Sequence, residues 1–291
     1  MSRKVIFLFC ALSIFSYFGV IFMVISPLST TFYSRKYVES YPLRPPSVQW
    51  CKQQRWRSPA ARGAVALVSF PGSGNTWLRY LLQQLTGIVT GSIYMDYGLR
   101  LHGFPAENVS DGSVLVVKTH ESPPIEPGRF KAAVLLIRNP RDAILADYNR
   151  LHKGHIGTAP KSAFRKRSAE RRSTDWSNYV ATQLAAWESL HKQWLTQFPG
   201  PIHIVFYEVL VNDTRHTLQG ILSFLNQTAT EDEMNCTLAN REGIYRRKKK
   251  YNNFDPFTRS MYDELNTVRN KVLKIVLRYQ KQHSNVQKSS R

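Results

Sequence analysis

Four short apolar runs, Ala64 to Ser69, Val114 to Val117, Ala132 to Ile137 and Ile202 to Phe206, constrain the fold of this chain more than anything else in it. Each is nearly continuous in apolar residues instead of alternating, the pattern of a strand covered by helices on both faces. Helical stripes accompany them. Trp176, Val180, Leu184, Trp187, Leu190, Trp194 and Phe198 form one, and Tyr262, Leu265, Val268, Val272, Ile275, Val276 and Tyr279 form another. Both read as core-facing. The expectation is an α/β domain with a mostly parallel sheet, whose ligand site lies beyond the carboxyl ends of its strands.

Something distinctive follows each run. After Ser69 comes Phe70-Pro71-Gly72-Ser73-Gly74-Asn75-Thr76-Trp77, then a helical pattern through Leu78, Tyr80, Leu81, Leu82 and Leu85. Glycines there let successive N–H groups face one anion, and the helix N-terminus adds its dipole. A plain strand-to-helix turn is the alternative. A nucleoside-triphosphate loop would place lysine where this chain has Asn75, so an ATPase or kinase reading loses its main electrostatic element.

Lys118-Thr119-His120 follows the second run. Histidine is the usual general base near neutral pH, and lysine stabilises negative charge developing on oxygen. After the third run, Arg138-Asn139-Pro140-Arg141-Asp142 offers a guanidinium fork and a proline that opens a helix. Tyr207-Glu208 follows the fourth, where an aromatic ring can stack on a base or simply be half-buried.

In this order the motifs resemble those of the 3′-phosphoadenosine-5′-phosphosulfate-dependent sulfotransferases. Phe70 to Trp77 is similar to the family's 5′-phosphosulfate loop, and Arg138 to Asp142 to its 3′-phosphate motif. Lys118-Thr-His120 resembles its catalytic Lys-Thr-His. Tyr207-Glu208-Val-Leu210 and Arg241-Glu242-Gly243 extend the likeness, the latter resembling a segment that closes on the 3′-phosphate. A closer resemblance, through Pro71 to Trp77 and Asn149-Arg-Leu-His-Lys-Gly-His-Ile-Gly157, is to the WSC-domain-containing, WSCD-type sialate O-sulfotransferase-like proteins, without their cysteine-rich WSC modules.

The resemblance implies a P-loop-like sulfotransferase domain with His120 and Lys118 catalytic. It implies a donor held by Gly72, Ser73, Gly74, Asn75, Thr76, Trp77, Arg138, Tyr207, Arg241 and Gly243, with no metal. Two positions depart from the family pattern. Gly72 stands where cytosolic members carry lysine, leaving Lys118, Arg79, Arg246 or Arg247 to neutralise the leaving group. Ala146 stands where a serine would contact the 3′-phosphate.

The first residues set an expected location. Val5 to Ile25 carries no charge and is long enough for a hydrocarbon core of about 30 Å. Arg3 and Lys4 precede it, so the positive-inside rule places the N-terminus in the cytoplasm and the rest in the lumen. A cleaved signal peptide would have a shorter apolar region. The expected plan is a cytoplasmic tail at 1–4, a signal-anchor at 5–25, a proline-bearing stem at 26–62, the sulfotransferase domain at 63–283 and a tail at 284–291.

Sequons at Asn108, Asn212, Asn226 and Asn235 suit the secretory pathway. Cys51 and Cys236 are the two cysteines outside the membrane run, either one disulfide or two thiols. The net charge of +20 points to anionic partners, and luminal topology disfavours nucleic acid among them. Basic clusters at Lys161 to Arg172 and Arg246 to Lys250 read as solvated loops or anion-facing surfaces. The expectation is a type II Golgi membrane sulfotransferase acting on a hydroxyl of a glycan acceptor, a sialylated one by the closer resemblance. A membrane-tethered binder of anionic glycans that lost turnover is the competing reading, motivated by Gly72 and Ala146.

Overall fold

The structure, a computed structural model, describes residues 48–125, 128–164, 176–245, 251 and 254–289. All four apolar runs enter one five-stranded parallel sheet. Its strands are β1 (Ala64–Ser69), β2 (Gly91–Ser92), β3 (Val117–Thr119), β4 (Phe130–Ile137) and β5 (Ile202–Phe206), in the order β2-β3-β1-β4-β5. The strand order changes direction at β1, so the crevice at its carboxyl end is where a ligand is expected.

The second run is shorter as a strand than its sequence suggests, because only Val117 of Val114 to Val117 lies in regular β3. Val114, Leu115 and Val116 are buried, but they lie outside regular β3, bonded to β2 and the residues just before it. Leu115 N–H donates to the Val89 carbonyl at 2.9 Å, and the Val116 carbonyl accepts from Gly91 N–H at 2.8 Å.

Helices α1 (Asn75–Thr86), α2 (Tyr97–Leu101), α3 (Pro140–Lys153), α4 (Trp176–Gln197), α5 (Tyr207–Asn212), α6 (Thr214–Phe224), α7 (Glu231–Ala239) and α8 (Arg259–Ser289) cover both faces. Residues of β1 alternate between two cores. Ala64, Ala66 and Val68 pack with α3, α4 and α8, while Val65 and Leu67 pack with α1, α6 and α7. This explains why the runs are apolar throughout. α4 begins and ends within a residue of the sequence stripe, whereas α8 continues to Ser289, past the boundary expected at 283.

The stem assignment needs correction for its described part. Residues 48–62 lie against the domain. Arg55 N–H donates to the Gly87 carbonyl and Arg57 N–H to that of Ser113, each at 2.8 Å, and Cys51 is joined to Cys236 in α7. Backbone hydrogen bonds and a covalent link hold this segment, and neither leaves a periodic signature in sequence. The expected anchor at 5–25 and the stem up to 47 lie outside the described residues. Among those described, no helix is long and apolar enough to cross a membrane.

Beneath the sheet's carboxyl end, α1 carries a fully buried ion pair. Arg79 Nη1 lies 2.6 Å from Glu107 Oε1, its Nε donates to Thr90 Oγ1, its Nη2 to the Thr90 carbonyl, and its guanidinium rests on the Phe104 ring at 4.3 Å. Removing one partner of such a pair strands a charge in the interior. Glu107→Ala is therefore expected to destabilise the fold by about 3–5 kcal/mol, measured by denaturant unfolding, with Glu107→Gln costing less.

Candidate active site

Each sequence motif lies just beyond a strand end, and hydrogen bonds join them. β1 passes into a loop ending at Gly74, whose φ of 94° opens α1 without a side-chain cap. Among the described residues, the first N–H groups of α1 therefore have neither an intrahelical nor a capping partner. Ser73 is fully buried, and its hydroxyl finds no hydrogen-bond partner among the described residues. A buried donor without a partner, beside an uncapped helix N-terminus, is the chemistry of an anion site.

Two glycines are required by what surrounds them. Gly72 has φ of 80°, and a Cβ there would lie 2.2 Å from the Ala143 carbonyl oxygen and 2.7 Å from Asp147 N, both in α3. A Cβ on Gly74 would lie 2.6 Å from the Tyr207 ring. The loop is thus pressed between α3 and the start of α5. No side chain of any kind fits at position 72, which explains in physical terms the departure from the lysine pattern.

Asn75 differs from expectation. Its side-chain amide donates to the Leu67 carbonyl and to Ser69 Oγ, each at 3.1 Å, so the side chain braces β1 and leaves only its backbone N–H for an anion. Thr76 is partly exposed on the first turn of α1. Arg138 Nη1 donates to the Gly72 carbonyl at 2.8 Å, and its guanidinium lies 4.2 Å over the Tyr207 ring, while Nε has no partner among the described residues. Trp77 packs edge-on against Tyr207, and its indole N–H donates to the Arg241 carbonyl at 2.6 Å. Tyr80 Oη donates to the Asn240 carbonyl and lines Gly243. α1 thereby holds the Asn240–Gly243 segment beside the loop.

The register of β1 with β3 sets the titratable pair. Leu67 lies opposite Lys118 and Val68 opposite Thr119, so His120 emerges level with Ser69. Its Nδ1 lies 2.7 Å from the Ser69 carbonyl. A carbonyl only accepts, so Nδ1 carries the proton and Nε2 keeps its lone pair. Burial, then the neighbouring Lys118, pushes the imidazole down to about 3. Lys118 is itself buried, and burial, reinforced by Arg79, pulls it down to about 8. Among the described residues no carboxylate forms an ion pair with Lys118. Arg79, a candidate for charge neutralisation, is committed to Glu107 and Thr90 and is withdrawn from that role. Arg246 and Arg247 lie outside the described residues.

Three residues here were not singled out from sequence. Tyr94 contacts both Lys118 and His120, and Asp96 lies 2.7 Å from His155 Nε2. Tyr94 and Asp96 follow a two-residue edge strand too short to read. His155 falls in the Asn149 to Gly157 stretch, whose family resemblance was the one available signal. The four sequon asparagines, Asn108, Asn212, Asn226 and Asn235, are all exposed, although Asn235 Oδ1 accepts from Arg215.

The arrangement is matched by known proteins. Residues 62–271 match the sulfotransferase domain family. A WSCD family member of Aedes aegypti is 43% identical over 251 residues, covering 78% of this chain and 78% of its own length. One from Drosophila melanogaster is 49% identical over 201 residues, covering 69% of this chain and 62% of its own length, so the chain spans less than two thirds of that relative. A mouse sulfotransferase crystallised with PAP shares the fold with a TM-score of 0.50 at 15% identity, over 78% of this chain and 90% of that one.

The crowding at position 72 has a measurable consequence. Left-handed backbone alone costs a non-glycine residue about 1–2 kcal/mol, and displacement of α3 adds to it. Gly72→Ala is expected to weaken binding of adenosine 3′,5′-bisphosphate, followed by calorimetry, at least about tenfold. Gly72→Lys, which restores the cytosolic pattern, should weaken it as well.

Proposed function

The chain belongs to the sulfotransferase family and, within it, to the WSCD family, and we propose that it transfers a sulfuryl group from 3′-phosphoadenosine-5′-phosphosulfate to a hydroxyl of a sialylated glycan. The observation that carries this reading is the pairing of a buried lysine, with no carboxylate partner among the described residues, and a neutral histidine beside an uncapped helix N-terminus. Such a site is organised to meet negative charge before any ligand arrives.

The donor supplies the activated sulfuryl group, and this chain's residues bind and position it. Backbone N–H groups of Gly74, Asn75 and Thr76 with the Ser73 hydroxyl suit the 5′-phosphosulfate end. Arg138, with an unpartnered Nε, and Arg241 suit the 3′-phosphate, and Trp77 and Tyr207 offer aromatic faces to a base. His120 Nε2 takes the proton of the acceptor hydroxyl as that oxygen attacks sulfur. Lys118 lies where charge gathers on the departing phosphate oxygen, the role lysine at position 72 would otherwise fill. The competing binder reading drew on Gly72 and Ala146, and the contact with α3 accounts for the first of these.

The cellular setting is part of the same proposal: a single-pass type II protein of the Golgi membrane with its catalytic domain in the lumen. The Cys51–Cys236 disulfide supports an oxidising compartment, and the exposed sequons suit glycosylation there. The charge of +20 suits an anionic acceptor.

The direct test is transfer of labelled sulfate from the donor to matched sialylated and desialylated glycans. Incorporation is expected with the first and lost with the second; no incorporation into any glycan would refute the enzymatic reading. His120→Ala should lower kcat by about 10²–10⁴ while adenosine 3′,5′-bisphosphate still binds. The pH dependence of kcat/KM for the donor reports the free enzyme. It is expected to fall as pH rises through about 8, where Lys118 loses its charge. Because His120 already lies near 3, no limb from this group should appear around the ordinary histidine value of about 6.5.

A further inference from the structure

We propose that Tyr94 is a positioning residue of the transfer site, its hydroxyl and ring together holding the His120 imidazole and the Lys118 ammonium in their working places. The inference rests on the roles given above to His120 and Lys118. It names the side chain that fixes them relative to each other.

Tyr94 touches both residues by different parts of itself. Its hydroxyl oxygen accepts the His120 backbone N–H at 3.0 Å, at the point where β3 ends and the sheet no longer supplies a partner. The phenol ring stacks on the imidazole with 5.7 Å between centroids and 23° between planes. The Lys118 ammonium lies 5.8 Å from the same ring's centroid, within range of cation–π attraction. The two groups leave β3 two residues apart and share this one neighbour.

The tyrosine is itself held from several directions. Its N–H donates to Ser92 Oγ at 3.0 Å, and its carbonyl accepts from Asn108 N–H at 2.9 Å. Just before it, Ile93 N–H donates to the Lys118 carbonyl at 3.1 Å. Two residues on, the Asp96–His155 pair ties this segment to the stretch after α3. A side chain anchored in this way can constrain what it touches. The charged groups acting on His120 come from other elements: Lys118 from β3, Arg79 from α1 and Arg150 from α3. The ring of Tyr94 stacks on the imidazole and covers part of it.

Two variants separate positioning from mere packing. Tyr94→Phe keeps the ring and removes the acceptor of the His120 N–H. Its kcat is expected to fall about tenfold, the scale of one hydrogen bond, with KM for the donor and affinity for adenosine 3′,5′-bisphosphate unchanged. Tyr94→Leu also removes the ring, and its kcat should fall about a hundredfold. Followed by NMR between pH 8 and 5, the His120 ring of the wild type should not titrate, whereas that of Tyr94→Leu should move up into this range as water reaches it. A kcat equal to wild type in both variants would overturn the proposal, and so would a loss accounted for entirely by weaker nucleotide binding. The NMR comparison needs no turnover. If the wild type transferred no sulfate, an unchanged His120 titration in Tyr94→Leu would still overturn this proposal, and a raised one would support it.

Discussion

The Ala143 carbonyl in α3 occupies the space that any side chain on residue 72 would need, and much of the site follows from that contact. For the loop after β1 to lie against a helix backbone, its own backbone must be bare and left-handed at Gly72. Once there, the Gly72 carbonyl is within reach of Arg138, which stands just ahead of α3. Gly74 is brought equally close to Tyr207 at the end of β5, over which the same Arg138 guanidinium lies. Three strand ends are thereby locked to one another by the thickness of a glycine. Among the described residues, the N–H groups that open α1 are left without capping partners.

The electrostatics build on this frame. Lys118 comes from the interior of the sheet and finds no carboxylate partner among the described residues, while Arg79 just beneath is fully paired with Glu107. Burying a cation without a partner costs stability, and that cost is recovered when an anion binds. His120 is held in the complementary condition: its proton is fixed on Nδ1 by the Ser69 carbonyl, and burial beside Lys118 keeps it neutral. One group is thus prepared to receive negative charge and its neighbour to receive a proton, and the pairing register of β1 with β3 sets both beside the loop that follows β1.

Much of this was legible in the sequence because strand ends carry it. Continuous apolar runs mark two-sided burial, so β1, β4 and β5 could be read within two residues at either end, and the motifs immediately after them fell at the site. What escaped was held together by contacts that leave no pattern along the chain. Residues 48–62 join the domain through backbone hydrogen bonds and a disulfide to a residue far along the sequence. β2 is two residues long, so neither it nor Tyr94 beyond it had a periodicity to read. Asn75 resembles a ligand-facing residue in the motif, yet its amide is turned back onto Leu67 and Ser69, a matter of rotamer that sequence does not record. Arg79 offered a cation at a suitable place in the motif, and only the structure reveals that Glu107 and Thr90 already claim it.

The absence of lysine from the loop also changes where the site's charge comes from. Position 72, pressed against the backbone of α3, has no room for a cationic side chain. Here the cations arise from β3 and from the end of β4, with Lys118 buried and Arg138 stacked on an aromatic ring, and neither can move far. Asn240 to Gly243 is held by Trp77 and Tyr80 of α1, and α7 just before it is joined by the disulfide to the segment at Cys51. Cys51 N–H in turn donates to Gln84 of the same helix at 2.7 Å. α1 therefore sets its N-terminus beside the loop after β1 while its side chains hold the segments that flank it.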